Sequence, residues 1–411
     1  MKKIFIAIAA FSLALSASAR ERSYAEKCQI AAGVIGVQSA QNKAKAAKAE
    51  SLATLSEAEN YTVIGYKNGG FAIVSNDDTR TPLIGYSTTD KFDATLPSVA
   101  WYLEMANTAL KSAPARAAAD IPEGCKPSVD EILTSKWDQR NSPYTDFCPI
   151  ELSSDTRCIA GCVATAMAQI MYNHKFPETG KGSATVKYNN MPYKTYFDIA
   201  TYDWSSMLDS YKNVELTPAQ KQAIARLTFH CGMAANMEYK KSASGAWLRD
   251  AAKGLQDNFG YQTKYFGYKT GDVEKQWASI IYRELSLGNP ILYAGNTSTG
   301  LAHAFVLDGY DADGKVHVNW GYSGDANGYF DLSALTLKMN GQTLDYSNSN
   351  DMVIIRTPDA DPIDYTLSTG ISSVSEDAAD TNAQMYNLEG MKVNSNFKGV
   401  YIKNGKKHIA K

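Results

Sequence analysis

Cys162, His303 and Asn319 are the residues of this chain whose types could together carry out nucleophilic chemistry. Cys162 follows a glycine and opens an alanine-rich run, and the other two lie about 140 to 160 positions further along. A thiolate attacks a carbonyl carbon, and a histidine holds the thiol proton and later returns it to the leaving amine. An amide can orient the imidazole. The three residue types therefore predict peptide-bond cleavage by a thiol.

The segment after Cys162 is predicted to form a helix that carries the thiol at its N-terminus. Residues 163–170 are mainly Ala, Met, Gln and Ile, which favour helix. Unpaired N–H groups and the helix dipole favour an anion at that end. We therefore expect the pKa of the Cys162 thiol to fall.

Five histidines compete for the role of proton carrier. His174 follows Cys162 by twelve positions, which is about 18 Å along a helix and too far for contact. His230 lies in an apolar helical stretch, where a structural role is expected, and His408 lies in the C-terminal tail.

Two histidines remain, and the pattern alone leaves both open. His303 lies between two alanines at the start of an apolar strand, so its ring has room to face a cleft. His317 alternates with Asn319 on the next strand, which places those two side chains on one face. The small neighbours favour His303.

Two longer blocks resemble a known family. The block from Gly161 to Pro177, GCVATAMAQIMYNHKFP, resembles the nucleophile helix of the streptopain family of papain-like cysteine proteases. The block from Ala302 to Leu335, AHAFVLDGYDADGKVHVNWGYSGDANGYFDLSAL, resembles that family's histidine and Asn-Trp strands. With Trp137-Asp138-Gln139 and Pro143-Tyr144 upstream, the similarity spans about residues 125–357.

The resemblance assigns a role to each matching residue. Cys162 becomes the nucleophile and His303 the general acid and base. The side chain of Gln139 joins the Cys162 backbone N–H in an oxyanion hole, which stabilises the charge that develops on the carbonyl oxygen. Asn319 orients the imidazole, and Trp320 shields that hydrogen bond from water.

A small and flexible segment matches a family loop at the substrate cleft. The resemblance implies substrate contacts from Ser242, Ala243, Ser244 and Gly245. It also implies endopeptidase action on protein or peptide substrates, with an apolar side chain preferred one residue before the scissile residue.

The resemblance and the element pattern predict an α+β, papain-like fold for residues 119–357. A helical half carrying Cys162 packs on an antiparallel β half carrying His303 and Asn319. The turn between those last two strands is predicted at Asp313-Gly314.

The N-terminus predicts export. Lys2 and Lys3 precede an apolar run, and Ala17-Ser18-Ala19 follows, which is the pattern of a secretory signal peptide over residues 1–19. The run is shorter than the ~20 residues that a spanning helix needs. We expect an enzyme released from a bacterium or held at its outer surface.

Residues 20–118 differ in character from the catalytic segment and are interpreted as an inhibitory propeptide with an α+β pattern. Residues 31–58 are rich in Ala, Lys, Gln and Glu and predict a helix. Residues 61–66 and 71–75 predict a hairpin around Asn68-Gly69, and residues 98–110 predict a second helix. A linker over residues 112–120 is suited to proteolytic nicking. An independent binding or folding module is the alternative.

Residues 358–411 form a third region. Acidic and Ser/Thr-rich residues 359–380 predict a linker, and residues 383–393 and 399–407 predict short strands. This tail resembles the sorting domains of the type IX secretion route, which implies the export machinery as a partner. A small β-rich accessory module is the alternative.

Net charge and cysteine content bear on the ligands and the disulfides that the chain could have. The net charge of −2 gives no support for nucleic-acid binding. Five cysteines besides Cys162 leave an odd number, so pairing of Cys148 with Cys158 stays open. The chemistry needs no cofactor and no metal, and neither Asp308 nor the pair Cys158 and Cys162 has ligand spacing for calcium or zinc.

Two other functions use the same residues. One is an amidase or transglutaminase-like enzyme with Cys-His-Asn chemistry, which an amine acceptor competing with water would reveal. The other is a catalytically inactive secreted binding protein or adhesin on a papain-like scaffold. The complete set of Gln139, Cys162, His303 and Asn319 favours the protease.

Overall fold

The computed structural model describes residues 20–39, 51–112, 121–151, 154–267, 273–296, 302–332 and 350–365, together with four strands of the C-terminal tail. Within these residues there are six α-helices: α1 Tyr24–Ser39, α2 Pro97–Ser112, α3 Cys162–His174, α4 Pro218–Ala234, α5 Leu248–Phe259 and α6 Val273–Ser286. None of the described helices is long and apolar enough to cross a membrane.

The ends of the helices follow from local sequence. Helix α4 begins with a capping box, in which Thr217 and Gln220 each accept from the other's backbone N–H. Helix α3 ends at Lys175, whose left-handed backbone lets its N–H donate to the carbonyl of Met171. Helix α5 ends at Gly260, which has a φ of 76°. These caps fix where each helix stops.

The strands form one large antiparallel sheet and three small ones. The N-terminal strands are β1 Ala53–Glu57, β2 Tyr61–Gly65, β3 Phe71–Ser75 and β4 Leu83–Ser87. Two hairpins follow, β5 Ile150–Glu151 with β6 Thr156–Arg157 and β7 Ser183–Tyr188 with β8 Met191–Tyr196. The strands of the β half are β9 Gln262–Gly267, β10 Ile291–Asn296, β11 Ala302–Tyr310, β12 Val316–Asn319, β13 Gly328–Phe330 and β14 Asp351–Arg356.

The large sheet joins the N-terminal segment to the catalytic segment. Its order is β1-β2-β3-β4-β13-β12-β11-β10-β14-β9, so the junction is the pairing of β4 with β13. Tyr86 lies opposite Tyr329, and Gly85 lies opposite Phe330. A Cβ on Gly85 would come within 2.8 Å of the Phe330 ring, so only glycine fits this close approach.

Helix α3 is the centre of the hydrophobic core. It packs against α4 on one side and against β10 and β11 on the other. Ten consecutive residues, 163–172, are buried, which explains the apolar composition on every face of this helix. The predicted helical half on an antiparallel β half is confirmed.

The N-terminal segment is partly as predicted. The hairpin of β2 and β3 and the helix α2 are confirmed. The single helix over residues 31–58 is wrong, because α1 spans Tyr24–Ser39 and residues 53–57 form strand β1. Pairing with β2 makes residues 53–57 a strand, and this pairing outweighs the helix preference of their composition.

The C-terminal unit, residues 364–411, is compact by itself. Its strands β15 Met385–Asn387, β16 Lys392–Val393, β17 Gly399–Lys403 and β18 Lys406–Ala410 form an antiparallel sheet in the order β16-β15-β17-β18. The short strands that the sequence predicts within residues 383–393 and 399–407 are confirmed. The predicted signal peptide 1–19 and linker residues 113–120 lie outside the described residues.

Candidate active site

Cys162 is the first residue of α3, and Gly161 makes that position accessible. Gly161 has a φ of 91°, and a Cβ there would lie 2.9 Å from the Met237 side chain and 3.1 Å from the Ser244 carbonyl. A glycine is therefore required both by the backbone angle and by the space. The tight turn presents the thiol at the helix N-terminus, as the sequence predicts.

The electrostatics of Cys162 favour the thiolate. Burial raises its pKa, but the charge and hydrogen bond of His303 and the backbone N–H groups of Ala304 and Val163 lower it, and the net shift is downward. The imidazole is the larger of these lowering influences. The contact with His303 therefore favours the deprotonated form of Cys162, which is the form that a thiol nucleophile requires.

His303 lies near the start of β11, opposite Gly295 of β10. Its Nε2 is 3.0 Å from the carbonyl oxygen of Trp320. Because a carbonyl oxygen only accepts, Nε2 carries the proton and donates this hydrogen bond. The Nδ1 atom is then the nitrogen left for the Cys162 thiol.

The structure does not place the side chain of Asn319 against the imidazole. Its Nδ2 donates to the carbonyl of Ser135 across 2.8 Å, while its Oδ1 accepts from Gln169 Nε2 and from the Gly321 N–H. The expected contact between Asn319 and His303 is replaced by the Trp320 carbonyl. The physical reason is that Asn319 on β12 points toward α3, where buried backbone and amide groups need partners.

Trp320 contributes a backbone atom to the site and its ring to the core. The indole is fully buried, and its Nε1–H donates to the carbonyl of Ala326. The ring packs against Phe305 and Phe330 at centroid distances of 4.8 and 5.3 Å. The residue that was expected to shield a hydrogen bond thus accepts one from His303.

His317, the other histidine that the sequence left open, lies in a separate buried cluster. Its Nδ1 is 2.6 Å from Asp308 Oδ1, and its Nε2 is 3.4 Å from Glu131 Oε1. Burial lowers its pKa, but Asp308 and then Glu131 raise it, with a net upward shift. His303, and not His317, meets the thiol.

Gln139 is buried beside the nucleophile. Its backbone carbonyl accepts from the N–H of Ala160, two residues before Cys162, and its own N–H donates to Asp138 Oδ1. These bonds hold the Gln139 segment against the turn that precedes α3. This is the side on which the family resemblance places an oxyanion hole.

Sequence reasoning missed a stack of three side chains around the imidazole. The rings of Tyr322 and His303 are nearly parallel, with 5.2 Å between centroids and 10° between planes, and the Arg140 guanidinium carbon lies 4.9 Å from the centroid of the Tyr322 ring. Asp138 accepts from Arg140 Nε and from the Ser323 hydroxyl. No local pattern marks Tyr322, because the turn containing Gly321 and Ser323 brings it back over His303.

The predicted substrate loop borders the nucleophile. The Ser244 hydroxyl donates to the carbonyl of Ile159, and its side chain is buried. Ser242, Ala243 and Gly245 are exposed. The loop is therefore anchored through Ser244 and offers its other residues to the surface beside Gly161.

The N-terminal segment covers this site. The side chain of Trp101 on α2 is 2% exposed, and its ring would contact a Cβ on Gly295 at 2.2 Å. Gly295 is the residue opposite His303. Ser98 of the same helix approaches the hydroxyl of Tyr322. Helix α2 thus packs beside His303 and the ring stacked on it.

Polar contacts also join the two segments. Lys136 Nζ lies 2.9 Å from Asp90 Oδ1, and the Tyr86 hydroxyl donates to Asp311 Oδ2. The N–H of Ala326 donates to the carbonyl of Lys91. The N-terminal segment is therefore held by a strand, a helix and side-chain pairs.

Comparison with known proteins identifies the family of the chain. The Peptidase C10 family matches residues 137–330, and the Spi protease inhibitor family matches residues 23–109. Streptopain of Streptococcus pyogenes serotype M1 is 34% identical over 298 residues, which cover 67% of this chain and 74% of streptopain. The chain belongs to the streptopain family of cysteine endopeptidases. Its N-terminal segment is the inhibitor domain of a zymogen.

Other proteins are similar to the chain over different lengths. The thiol protease/hemagglutinin PrtT of Porphyromonas gingivalis is 30% identical over 291 residues, which are 65% of this chain and 33% of that protein. A fragment of prointerpain A from Prevotella intermedia matches with a TM-score of 0.65 at 35% identity, covering 74% of this chain and 98% of the fragment. Active interpain A matches with a TM-score of 0.51 at 36% identity, covering 58% and 98%.

Proposed function

We propose that Cys162 is the nucleophile and His303 the general acid and base of this streptopain-family endopeptidase. The contact between a thiol at a helix N-terminus and an imidazole held by the Trp320 carbonyl carries the proposal. The thiolate attacks the scissile carbonyl, and protonated His303 delivers its Nδ1 proton to the leaving amine. His303 then activates a water molecule, which releases the acid product from the thioester.

The oxyanion of each tetrahedral intermediate is stabilised by two donors in this proposal, the Cys162 N–H and the side chain of Gln139. The N–H of the first residue of α3 has no partner within the helix. The hydrogen bond from Ala160 to the Gln139 carbonyl supports the nearness of the second donor. Losing one such donor costs on the order of 10²–10³ in rate.

Substrate binding is proposed at the loop of Ser242, Ala243, Ser244 and Gly245. Anchoring of Ser244 to Ile159 and its closeness to Gly161 support this assignment. The preferred residue one position before the scissile residue is proposed to be apolar.

The compartment in which the enzyme acts is proposed from sequence patterns in the N-terminal segment and in the C-terminal tail. The signal-peptide pattern of residues 1–19 and the sorting-domain resemblance of the tail support export to the medium or the outer surface of a bacterium. Cleavage in the linker over residues 112–120 would free the catalytic domain from α2.

Alkylation with an epoxide inhibitor tests these roles. We expect adducts at Cys162 in the processed enzyme and very little labelling in the zymogen, with peptide mass spectrometry as the readout. The variant C162A should lose hydrolysis and self-processing while keeping its circular dichroism spectrum. Undiminished turnover by a folded C162A variant would exclude Cys162 as the nucleophile.

A further inference from the structure

A pocket of about 470 Å³ lies on the helical half, and neither Cys162 nor His303 lines it. One wall is the β7–β8 hairpin, a second is α4, and a third comes from residues around the β5–β6 hairpin. None of the residues with a role in the proposed reaction belongs to this pocket. Its chemistry therefore calls for a separate explanation.

The pocket is positively charged. Arg157, Lys194 and Arg226 line it, and Asp146 is the single carboxylate among the lining residues. His230 adds no charge near neutral pH, because burial and then the nearby Arg226 lower its pKa to about 4. Three cations face one carboxylate, so an anionic ligand fits the pocket better than a neutral or cationic one.

These cations have no anionic partner among the described residues. Arg157 donates to the carbonyl of Cys148, and the Lys194 ammonium lies 4.5 Å from the centroid of the Tyr196 ring. Arg226 is half-buried, and no described carboxylate lies within ion-pair distance of it. The planar guanidinium fork of arginine matches a carboxylate in geometry, so Arg226 is suited to bind one.

Exposed apolar side chains cluster in the segment that forms the hairpin wall of the pocket. The described part of the chain exposes nine large apolar side chains, and four of them fall within nine positions: Met191, Tyr193, Tyr196 and Ile199. Clustered exposed aromatic and aliphatic groups next to charges are typical of a surface that binds another polypeptide. An acidic side chain flanked by apolar residues would complement both features.

One residue that lines the pocket, Arg157, is close to Cys162 along the chain. Arg157 precedes Cys162 by five positions, so their Cα atoms are at most about 18 Å apart. Between them, the N–H of Ile159 donates to the carbonyl of Lys240, at the start of the proposed substrate loop. An extended substrate of roughly five or six residues covers that distance.

We propose that this pocket is an exosite, which binds an acidic side chain of a polypeptide substrate several residues away from the scissile bond. Arg226 donates hydrogen bonds to the carboxylate, Arg157 and Lys194 add to the positive field, and the exposed apolar groups of the hairpin contact the flanking residues. The exosite selects among long substrates, whereas short peptides are cleaved without it. The inference rests on the proposed cleft but concerns a different set of residues.

Matched peptides test the exosite on the processed enzyme. Each long peptide carries either Glu or Gln at one position between five and eight residues from a common scissile bond, on either side of it. A short fluorogenic peptide reports the catalytic site alone. The variants are R226Q, R226K and, as a control for the same loss of charge on the exposed face of α4, K221Q.

We expect at least one Glu peptide to exceed its Gln counterpart about five-fold in kcat/KM. This preference should disappear in R226Q and in about 0.5 M salt, should weaken in R226K, and should persist in K221Q. All variants should cleave the short peptide at the wild-type rate, which separates loss of the exosite from loss of the cleft.

Two results would overturn the exosite: the absence of a Glu preference at every position, or a preference that R226Q leaves intact. If R226Q also slows cleavage of the short peptide, R157Q provides the second test, because Arg157 is exposed and its substitution leaves α4 unchanged. An unchanged Glu preference in a fully active R157Q would then count against the proposal in the same way.

Discussion

The Nε2–H of His303 donates to the backbone carbonyl of Trp320 across 3.0 Å. No substitution of a side chain removes that acceptor. The carbonyl is positioned because the Trp320 N–H donates to Asn327 Oδ1 and the indole donates to the Ala326 carbonyl. The orientation of the imidazole therefore depends on how the segment from 320 to 327 is packed, and less on the amide of Asn319.

Replacing Asn319 by alanine should reduce stability more than catalysis. The change leaves the Ser135 carbonyl and the Gly321 N–H without their buried partner, which should lower the free energy of unfolding by about 2 kcal/mol. The value of kcat/KM for the folded enzyme should fall by less than about ten-fold, since the Trp320 carbonyl still holds His303. Urea unfolding of the processed enzyme and steady-state kinetics give the two numbers.

The opposite pattern, a large loss of activity with little loss of stability, would support the role that the resemblance assigns to Asn319. A loss near 10⁴ in kcat with unchanged unfolding is the scale seen when an orienting residue is lost. N327A is the matched variant, because Asn327 is equally buried and acts on the Trp320 backbone. We expect N327A to slow catalysis more than N319A.

The pH dependence of alkylation at Cys162 should report its partner. The pKa of Cys162 lies below its ordinary value, so alkylation by a neutral reagent should rise with pH through that lowered pKa. In H303A, burial continues to raise the pKa while its main opposing influence is gone. The rise should then shift to a pH above that of an ordinary thiol.

Rates of iodoacetamide modification between about pH 4 and 10 measure this shift. The H317A variant is the control, since His317 pairs with Asp308 and Glu131. An unchanged profile in H303A, or an equal shift in H317A, would contradict the assignment of His303.

Tyr322 should act through its ring and not through its hydroxyl. The ring contacts both His303 and Arg140, so Y322F keeps these contacts and should retain near wild-type kcat/KM. Y322L removes the planar surface and should lower kcat by about ten-fold, because a displaced imidazole reacts less often in the productive geometry. Equal losses in both variants would point to the hydroxyl instead.

The sequence predicts the parts of the site that local pattern and residue type determine. Gly161 before an alanine-rich run predicts the helix N-terminus at Cys162, and Asp313-Gly314 predicts the turn between β11 and β12. The partner of His303 is a different case. Asn319 and Trp320 are adjacent, and only the path of the backbone decides whether a side-chain amide or a main-chain carbonyl faces the ring.

Residues 31–58 are a second case in which the local sequence does not predict the structure. Their composition favours helix throughout, yet residues 53–57 pair with β2 and complete the N-terminal part of the sheet. The paired residues run from Glu57 with Thr62 to Ala53 with Gly65, and this strand pairing outweighs the helix preference of the composition. The stack of Arg140, Tyr322 and His303 is not predicted because its members are far apart in the sequence. Arg140 and Tyr322 are separated by 182 positions.

Trp101 should be the main anchor of the inhibitor domain on strands β10 and β11, beside His303. Its ring fills the space above Gly295 and packs 6.0 Å from Phe305, centroid to centroid. Removing a buried tryptophan ring costs about 3–5 kcal/mol, so W101A should loosen α2 from the cleft. We expect epoxide labelling of Cys162 in the uncleaved zymogen to become at least ten-fold faster. E104A is the control, since Glu104 is exposed on the same helix.

If W101A and E104A both label at the wild-type zymogen rate, Trp101 is not the anchor, and the pairing of β4 with β13 holds the inhibitor domain in place. The zymogen variant G85V, which adds a side chain against Phe330, should then release the inhibitor domain instead.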